Sequence, residues 1–283
     1  AAYTGGFQGS YDGGGYAIFN LKIDDNNNNR SYVGFFNKVY AGTIQNLSIL
    51  NASINKSGTA GGVVDVGVLV GTALKMTAVS LIIKNTYTTG SVSTAITDKS
   101  VNSGGIVGQL ATMAQLSFSY SRVAITASGF GANAGGLVGY LTAAGSTISN
   151  CFAAGAVSST ATYGQVGEVV GYLSGTTSGN PPTTISNVHY TGNGPVYGLI
   201  NSTSFLQTWS VTNTQHLADT VFKDAANFQT TPGYFSPEWD FTTVWKIDSA
   251  QNDGFPILRI PNAAPTATSV TITGTATVGQ NLT

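Results

Sequence analysis

The sequence predicts an all-β protein: a right-handed parallel β-helix with a small C-terminal cap that contains a short helix. Two recurring sequence blocks and a β-favouring composition are the basis of this prediction. Charged residues make up 8% of the 283 positions, hydrophobic residues make up 42%, and 36 positions are Gly. Because an ordinary soluble domain has about 25% charged residues, small uncharged residues that favour strands and turns dominate this chain.

The first recurring feature is a glycine-rich motif, which we call the glycine block. Gly-Gly-Ile-Val-Gly occupies residues 104–108, Gly-Gly-Leu-Val-Gly occupies 135–139, and variants lie at 67–71 and 167–171. A degenerate copy at 33–37 has Asn in place of the last glycine. Repeats of roughly 30–40 residues are too small to bury an apolar face alone, so they stack and share one core.

The second motif has the pattern Ile-x-Asn-x-aromatic and alternates with the glycine block. Its period of two predicts a strand with these three positions on one face. Aligning the copies predicts an aliphatic column of Ile18, Ile44, Ile83, Leu116, Ile148 and Ile185. The same alignment predicts a structural ladder of Asn20, Asn46, Asn85, Asn150 and Asn187, with Phe118 in place of one asparagine. Stacked amides can hydrogen-bond from coil to coil, so we expect this ladder to be internal structure.

The repeat region is expected to form a short rod. Stacked repeats place equivalent strands parallel, and parallel crossovers are right-handed in nearly all proteins. We expect about six coils over residues 1–194. At a strand spacing of about 4.8 Å, such a stack is roughly 30 Å long.

Residues 195–261 are predicted to form a C-terminal cap on the same domain. Leu217, Val221 and Phe222 recur near helical spacing, which predicts a short helix within residues 214–225. The segment contains every tryptophan of the chain, Trp209, Trp239 and Trp245. We expect them to cover the last coil, since an uncovered end exposes strand edges. A carbohydrate-binding aromatic platform is the alternative interpretation.

The last 22 residues, 262–283, differ in character from the repeats. Pro265 and the small residues around it predict a linker. Val270 and Ile272 indicate the first strand of a following Ig-like β module, of which this stretch is too short to fold alone. We therefore expect further domains of the same polypeptide to follow.

The repeats resemble a known family. The glycine block at 135–139, followed by Ile-Ser-Asn-Cys-Phe at 148–152, is similar to the GLUG motif of bacterial secreted and cell-surface, adhesin-like proteins. The opening segment 7–21 and the closing segment 239–248 resemble the usual ends of such domains, so the resemblance covers about residues 3–260. It implies a β-helix and a surface or adhesive role, and it supplies no catalytic residues.

No catalytic, cofactor-binding or metal-binding residue is predicted, and no cofactor is expected. The most prominent acids are scattered over different coils at non-equivalent positions: Asp12, Asp65, Asp98 and Glu168. They form no repeated column, so a paired-carboxylate glycosidase site is not expected. His189 is expected to replace an aromatic ring in a stack, and His216 is expected to face solvent. Cys151 is expected to be buried, and a single cysteine forms no internal disulfide.

Two polar features leave minor alternatives open. The run Asp24–Asn29 offers oxygen atoms that could bind calcium, but a solvated loop is the preferred interpretation because Asn and Asp favour turns. Thr86, Thr88 and Thr89, with Ser91 and Ser93, could form a flat hydroxyl surface, as in ice-binding solenoids. The equivalents of Thr88 include Ser121 and Ala153, so the required regular column is missing.

These observations predict a non-enzymatic extracellular or cell-surface module of a large bacterial protein, used in adhesion or as a rigid spacer. A net charge of −1 argues against nucleic-acid binding. Asp65 and Lys75 interrupt the most apolar stretch, so membrane insertion is not expected. The expected partners are surface glycans or other cell-surface proteins. The alternatives are a polysaccharide-binding or polysaccharide-cleaving β-helix, a self-associating fibre subunit and, as a minor one, an ice-binding solenoid.

Overall fold

The chain folds as a parallel β-helix, which confirms the predicted fold class. The computed structural model describes residues 5–26, 30–75, 78–142, 145–174, 182–200, 209–229 and 239–260. Within them, one 18-stranded sheet winds around a continuous aliphatic core. Its strands are β1 Phe7–Asp12, β2 Ala17–Phe19, β3 Lys22–Asp25, β4 Tyr32–Val33, β5 Phe36–Gly58, β6 Val64–Gly67, β7 Val70–Leu74, β8 Leu81–Gly104, β9 Val107–Ala111, β10 Ala114–Gly135, β11 Val138–Thr142, β12 Thr147–Ala153, β13 Val157–Ser159, β14 Gln165–Gly167, β15 Val170–Ser174, β16 Thr183–Tyr190, β17 Tyr197–Ile200 and β18 Trp209–His216. A two-stranded antiparallel pair consists of β19 Trp245–Lys246 and β20 Ile257–Leu258.

Successive coils pair residue for residue, so one inward column runs along the solenoid. Its members are Tyr11, Ile44, Ile83, Leu116, Ile148, Ile185 and Val211. Six of these seven positions carry aliphatic side chains, which pack into the core. The predicted place of Ile18 in this column is wrong, because Ile18 pairs with Ile49 at the next corner and Tyr11 occupies the position.

The glycine blocks lie where the chain bends and adjacent coils come into close backbone contact. A Cβ atom added to Gly139 would lie 2.5 Å from the Ser103 nitrogen, and one added to Gly171 would lie 2.6 Å from the Ala134 nitrogen. No side chain fits at such a separation. The block therefore recurs because every coil needs the same close approach.

The solenoid continues beyond the predicted boundary at residue 194. β17 pairs with β15, and β18 pairs with β16 along its whole length. The segment 214–225, where a short helix is predicted, contains the 3₁₀ helix Asp219–Lys223, although β18 occupies its start as far as His216. The short α1, Ala226–Gln229, follows directly. Val211 and Asn213 repeat the Ile-x-Asn spacing, which is the signal that the sequence analysis overlooked.

In the described residues, the segment after β18 packs along the side of the solenoid, whereas the prediction places it over the end of the last coil. We call residues 217–229 and 239–260 the lateral segment. It starts at the last coil, where the Leu217 N–H donates to the Tyr190 carbonyl at 2.8 Å. It reaches the first coil at Arg259, whose backbone carbonyl packs against Gly15. A Cβ atom added to Gly15 would lie 2.1 Å from this carbonyl oxygen. The side chain of Trp209 and residues 262–283, the predicted linker, lie outside the described part of the chain.

An outward column of aromatic rings holds the lateral segment in place. Tyr87, Tyr120 and Phe152 stack with centroids 4.9 and 4.3 Å apart. The lateral segment buries them with its largest apolar side chains, among them Phe222, Phe228, Trp239, Trp245 and Phe255. Transfer of this much aromatic surface from water is a large stabilising contribution.

A polar clamp adds to this packing at the edge of the aromatic column. The Arg122 guanidinium donates to Asn252 Oδ1 at 2.9 Å and to Asp253 Oδ2 at 2.7 Å. It also lies 4.2 Å from the centre of the Phe255 ring. The solenoid and the lateral segment thus share both apolar and ionic contacts. No helix in the described residues has the length and apolarity that crossing a membrane requires.

Candidate binding groove

The asparagines singled out from the sequence lie mainly at one left-handed corner of the solenoid. Asn46, Asn85, Asn150 and Asn187 have φ angles of 53°, 50°, 51° and 52°. Asn85 Nδ2 donates to Asn46 Oδ1 at 3.1 Å, and Asn187 Nδ2 donates to Asn150 Oδ1 at 3.2 Å. Asparagine tolerates this backbone conformation better than most residues. The side chains therefore serve the corner and the coil-to-coil contact together.

The ladder has a different membership from the predicted one. Asn213, which the sequence analysis missed, donates to Asn187 at 2.7 Å. Asn20 does not belong to it, because the register places Asn20 beside Asn51, at a second left-handed corner with φ angles of 58° and 55°. At the first coil Asp12 Oδ1 takes the place of an amide and accepts from Asn46 Nδ2 at 3.1 Å.

Phe118 divides the ladder into two parts. It has a φ angle of 46°, like the asparagines, but it carries no amide. Its ring instead lies edge-on to Trp239, with centroids 6.4 Å apart. The asparagine corner is thus a structural feature that borders the lateral segment, and it lies apart from the cavity described next.

A cavity of about 510 Å³ runs along another side of the solenoid, where the chain bends at each glycine block. We call it the axial groove. Outward side chains from either side of the bend form its two walls. The first wall belongs to the register column Tyr32, Asp65, Asn102, Asn133 and Gln165, of which the first four line the cavity. The second belongs to the column Lys38, Thr72, Gln109, Tyr140 and Tyr172, of which the last three line the cavity.

The first wall holds a fixed chain of polar side chains. Asn133 Nδ2 donates to Asn102 Oδ1 at 2.7 Å, and Asn102 Nδ2 donates to Asp65 Oδ1 at 2.7 Å. Asp65 is only 2% exposed. Burial raises the pKa of the Asp65 carboxyl to about 7, against the opposing effect of hydrogen bonds from Asn102 and Thr72. The chain of amides therefore ends on a carboxyl that exchanges its proton near neutral pH.

The side chains of the second wall differ in size along the groove, so one part of this wall is high and the next part is low. The rings of Tyr140 and Tyr172 stack 5.2 Å apart with an interplanar angle of 5°. The next two positions toward the first coil carry the smaller side chains of Gln109 and Thr72, whose Oε1 and Oγ1 atoms lie 3.2 Å apart. Tyr32 lines the far end of the cavity, and Lys38 Nζ lies 4.1 Å from the centre of its ring.

This groove is not among the sequence-based predictions, although the sequence contains a signal for it. Each first-wall residue stands two positions before the first glycine of a block, as in Asn102-Ser-Gly and Asn133-Ala-Gly. In the second-wall column, Thr72, Gln109, Tyr140 and Tyr172 each directly follow the last glycine of a block, whereas Lys38 follows Asn37. Polar or aromatic residues recur at both offsets, and Asp65 appeared only as one of several scattered acids.

The other acids have structural contacts in the described residues. Asp98 Oδ1 accepts from the Ala60 N–H at 2.8 Å, and Glu168 Oε1 accepts from the Gly194 N–H at 2.8 Å. Asp12 accepts from the Gly14 N–H, which is the main reason that the pKa of its carboxyl is lowered. None of these three acids lines the axial groove beside Asp65. The described part of the groove therefore lacks the second carboxyl that glycoside hydrolysis needs.

The nucleophilic and basic side chains are also placed for structure. Cys151 is fully buried, and burial raises the pKa of its thiol to about 12. His189 follows Phe152 in the register and is fully buried as well. His216 is exposed at the end of β18, where its Nε2 lies 3.0 Å from the Thr191 carbonyl oxygen. Neither the thiol nor the buried imidazole is accessible to a substrate.

The run Asp24–Asn29 has ion pairs within the chain where it is described. Asp24 lies 3.0 Å from Lys22 Nζ, and the buried Asp25 lies 3.7 Å from Lys56 Nζ and 3.3 Å from Arg30 Nε. Residues 27–29 are outside the described part. In the described residues no group of three His, Cys, Asp or Glu side chains could hold a metal ion.

The hydroxyl surface considered for ice binding is only partly on the outside, since Ser91 and Ser93 are exposed and Thr89 is half-buried. Thr86 and Thr88 are both buried, and the Thr88 hydroxyl donates to the Gly105 carbonyl at 2.9 Å. That expectation is therefore corrected at these two positions. They are inward residues because the left-handed corner just before them shifts the alternation of the strand.

Comparisons with known proteins support the fold and give a partial sequence likeness. No known family matches the chain. Over 133 residues, 47% of this chain, the sequence is 35% identical to halomucin from Haloquadratum walsbyi (strain DSM 16790 / HBSQ001), of which the match covers only 1%. The fold is similar to the crystal structure of a Bacteroides ovatus protein provisionally named an immunoglobulin A1 protease, with a TM-score of 0.57 and 21% identity over 88% of this chain and 77% of that chain. At this identity the second likeness concerns the fold alone.

Proposed function

We propose that the chain is a non-enzymatic, rigid module of a large secreted or cell-surface protein, used in adhesion or as a structural spacer. The main support is the inward column that pairs from coil to coil between Tyr11 and Val211, together with the lateral segment that runs from the last coil to the first. Stacked coils of this kind transmit force through continuous strand pairing and resist bending.

The likeness to halomucin is consistent with a secreted or surface β-helix protein, since the match is a small part of a much longer chain. We also propose that the repeats are of the GLUG type, on the motifs at 135–139 and 148–152. The expected partners are surface glycans or other cell-surface proteins, and further domains of the same polypeptide.

The buried state of Cys151 and His189 and the structural contacts of the acids support a non-enzymatic role. The provisional name of the structural neighbour makes proteolysis the reaction to test first. The 283-residue chain is incubated with immunoglobulin A1 and with a panel of neutral and acidic polysaccharides, with and without calcium. We expect no cleavage product. Turnover that disappears on Asp65→Asn substitution would contradict the proposal.

Location is tested on intact cells that carry the natural gene. An antibody raised against the purified chain is used to label whole cells and to probe the culture medium. We expect signal at the surface or in the medium, because an adhesive module or spacer acts outside the cell. Recovery of the protein from the cytoplasm alone would refute the proposed role.

A further inference from the structure

The axial groove has the features of a preformed ligand site. Its volume of about 510 Å³ lies within the range of small-molecule sites, about 300–1,000 Å³. Its lining combines amide, hydroxyl and tyrosine side chains with the buried Asp65 carboxyl, and in the described residues neither Lys38 nor any other Lys or Arg side chain lines the cavity itself. A ligand that matches this lining is polar, uncharged and rich in groups that both donate and accept hydrogen bonds.

The groups that face the ligand are held in position before it binds. Asn133 uses one N–H to bond with Asn102, and Asn102 is anchored in turn on Asp65. An amide has two N–H donors and an oxygen with two lone pairs. Asn133 therefore keeps an N–H and its Oδ1 for the groove, and Gln109, whose Oε1 faces the Thr72 hydroxyl, keeps the N–H groups of Nε2.

Tyr140 presents an aromatic face at one end of the low part of the second wall, where Gln109 and Thr72 have smaller side chains. One face of Tyr140 packs on Tyr172, so its opposite face is directed toward Gln109 and the cavity. Tyr140 is half-buried, and it lines the cavity together with Gln109. The apolar C–H face of a sugar ring suits such a surface, while its hydroxyls suit the neighbouring amides.

We propose that the axial groove binds a neutral glycan chain, with a sugar ring against Tyr140 and its hydroxyls on the amides of Gln109 and Asn133. The chain lies along the solenoid axis, because equivalent side chains repeat at the strand spacing of about 4.8 Å, close to the length of one sugar unit. The proposal rests on the proposed adhesive role and gives that role a substrate class and a site.

The test uses the whole 283-residue chain and defined oligosaccharides. Neutral oligomers of glucose, mannose and N-acetylglucosamine are compared with acidic oligogalacturonate on an array, and any binder is then titrated in solution. We expect at least one neutral oligomer to bind with a Kd near 1 mM, about −4 kcal/mol. Failure of every neutral oligomer at about ten times that concentration, or binding of the acidic oligomer alone, would overturn the proposal.

The decisive variant is Gln109→Tyr, which fills the low part of the wall. The fold accepts tyrosine in this column at positions 140 and 172, so the variant is expected to fold. Affinity for the neutral oligomer should fall at least about tenfold. Gln115→Tyr makes the same exchange at an exposed position outside the groove and should keep affinity within about twofold.

A second variant and its control test the proposal even if Gln109→Tyr does not fold. Tyr140→Ala removes the aromatic face, and Tyr163→Ala removes an exposed ring elsewhere. Binding that survives both groove substitutions would overturn the proposal. A chain that labels the cell surface but binds no glycan would refute this inference alone, whereas a cytoplasmic chain would refute the proposed function.

Discussion

Two stacks of aromatic rings lie on the outside of the same solenoid, and they differ in how far the rest of the chain covers them. Tyr87, Tyr120 and Phe152 are 4%, 0% and 0% exposed under the lateral segment. Tyr140 and Tyr172 stack in a similar way but remain half-buried at the edge of the axial groove. The closed stack has apolar partners from the same chain, whereas the open stack is bordered by amides and one carboxyl. The first therefore stabilises the fold, and the second is left for a ligand.

The largest expected effect comes from breaking the closed stack. Phe152 packs against Tyr120 at 4.3 Å and Phe222 at 4.5 Å, so Phe152→Ala leaves a cavity and should cost about 3–5 kcal/mol in the free energy of unfolding. The matched change in the open stack is Tyr140→Ala, for which we expect about 1 kcal/mol. Urea denaturation measures both variants. Equal losses would show that the lateral segment does not cover the first stack as described.

The next largest effect is a pH dependence of stability that arises from the Asp65 carboxyl in the groove. Because the pKa of Asp65 is raised from 3.8 to about 7, the folded state binds more protons than the unfolded state between these values. The free energy of unfolding should therefore fall as pH rises from about 4 to 7, by as much as about 4 kcal/mol. Asp65→Asn should remove this fall and raise stability at pH 8, since an amide oxygen still accepts from Asn102.

The matched control for that pH series is Asp24→Asn. Hydrogen bonds from Asn55 and Lys22 lower the pKa of this exposed carboxyl, so its titration lies below the window. Thermal melts between pH 4 and 8 should show the same fall for Asp24→Asn as for the natural sequence. A natural chain whose melting temperature does not fall over this range would contradict the buried position of Asp65.

A smaller effect separates the two roles of the asparagine corner. Asn85→Ala should cost about 1–3 kcal/mol, since it removes the donor to Asn46 Oδ1 and places alanine at a positive φ. Asn85→Gly relieves the backbone strain but still lacks the amide, so it should recover about 1 kcal/mol of that loss. Chemical denaturation gives both values. If the glycine variant were as stable as the natural chain, the amide contact would contribute nothing.

The smallest expected effect belongs to Gln109→Tyr in the absence of ligand. The new ring extends the stack of Tyr140 and Tyr172, and an aromatic pair of this kind contributes about 0.5–1.5 kcal/mol. We expect the free energy of unfolding to stay the same or to rise slightly, by no more than about 1 kcal/mol. Thermal melting measures this change. A large loss would show that Gln109 has a packing role that its half-buried position does not indicate.

The sequence predicts the fold class because the repeats carry it directly. Glycine blocks mark the bends, and the aligned Ile positions form one inward column with few exceptions. The asparagine motif was more difficult to interpret. A strand of period two places Asn150 and Phe152 on the same face as Ile148, but the left-handed φ of Asn150 shifts the alternation. Cys151 therefore points into the core, and Phe152 points out, toward the lateral segment.

Composition alone does not predict on which surface the lateral segment packs or where the groove lies on the solenoid. Trp239 and Trp245 are buried, as large apolar side chains are expected to be, but hydrophobicity does not say against which surface. The rings that receive them are far away in the chain and become a surface only after the coils stack. The groove depends in the same way on two offsets around each glycine block, which face each other only once the chain bends there.

The contrast between the closed and open stacks is tested most directly by hydroxyl-radical footprinting of the natural chain, read tyrosine by tyrosine in a mass spectrometer. The side chains of Tyr87 and Tyr120 lie under Trp245, with ring centroids 6.1 and 6.0 Å from it. We predict slow oxidation at these two positions and fast oxidation at Tyr140 and Tyr172. Equal rates at the four tyrosines, or faster oxidation of Tyr87 and Tyr120, would contradict the account.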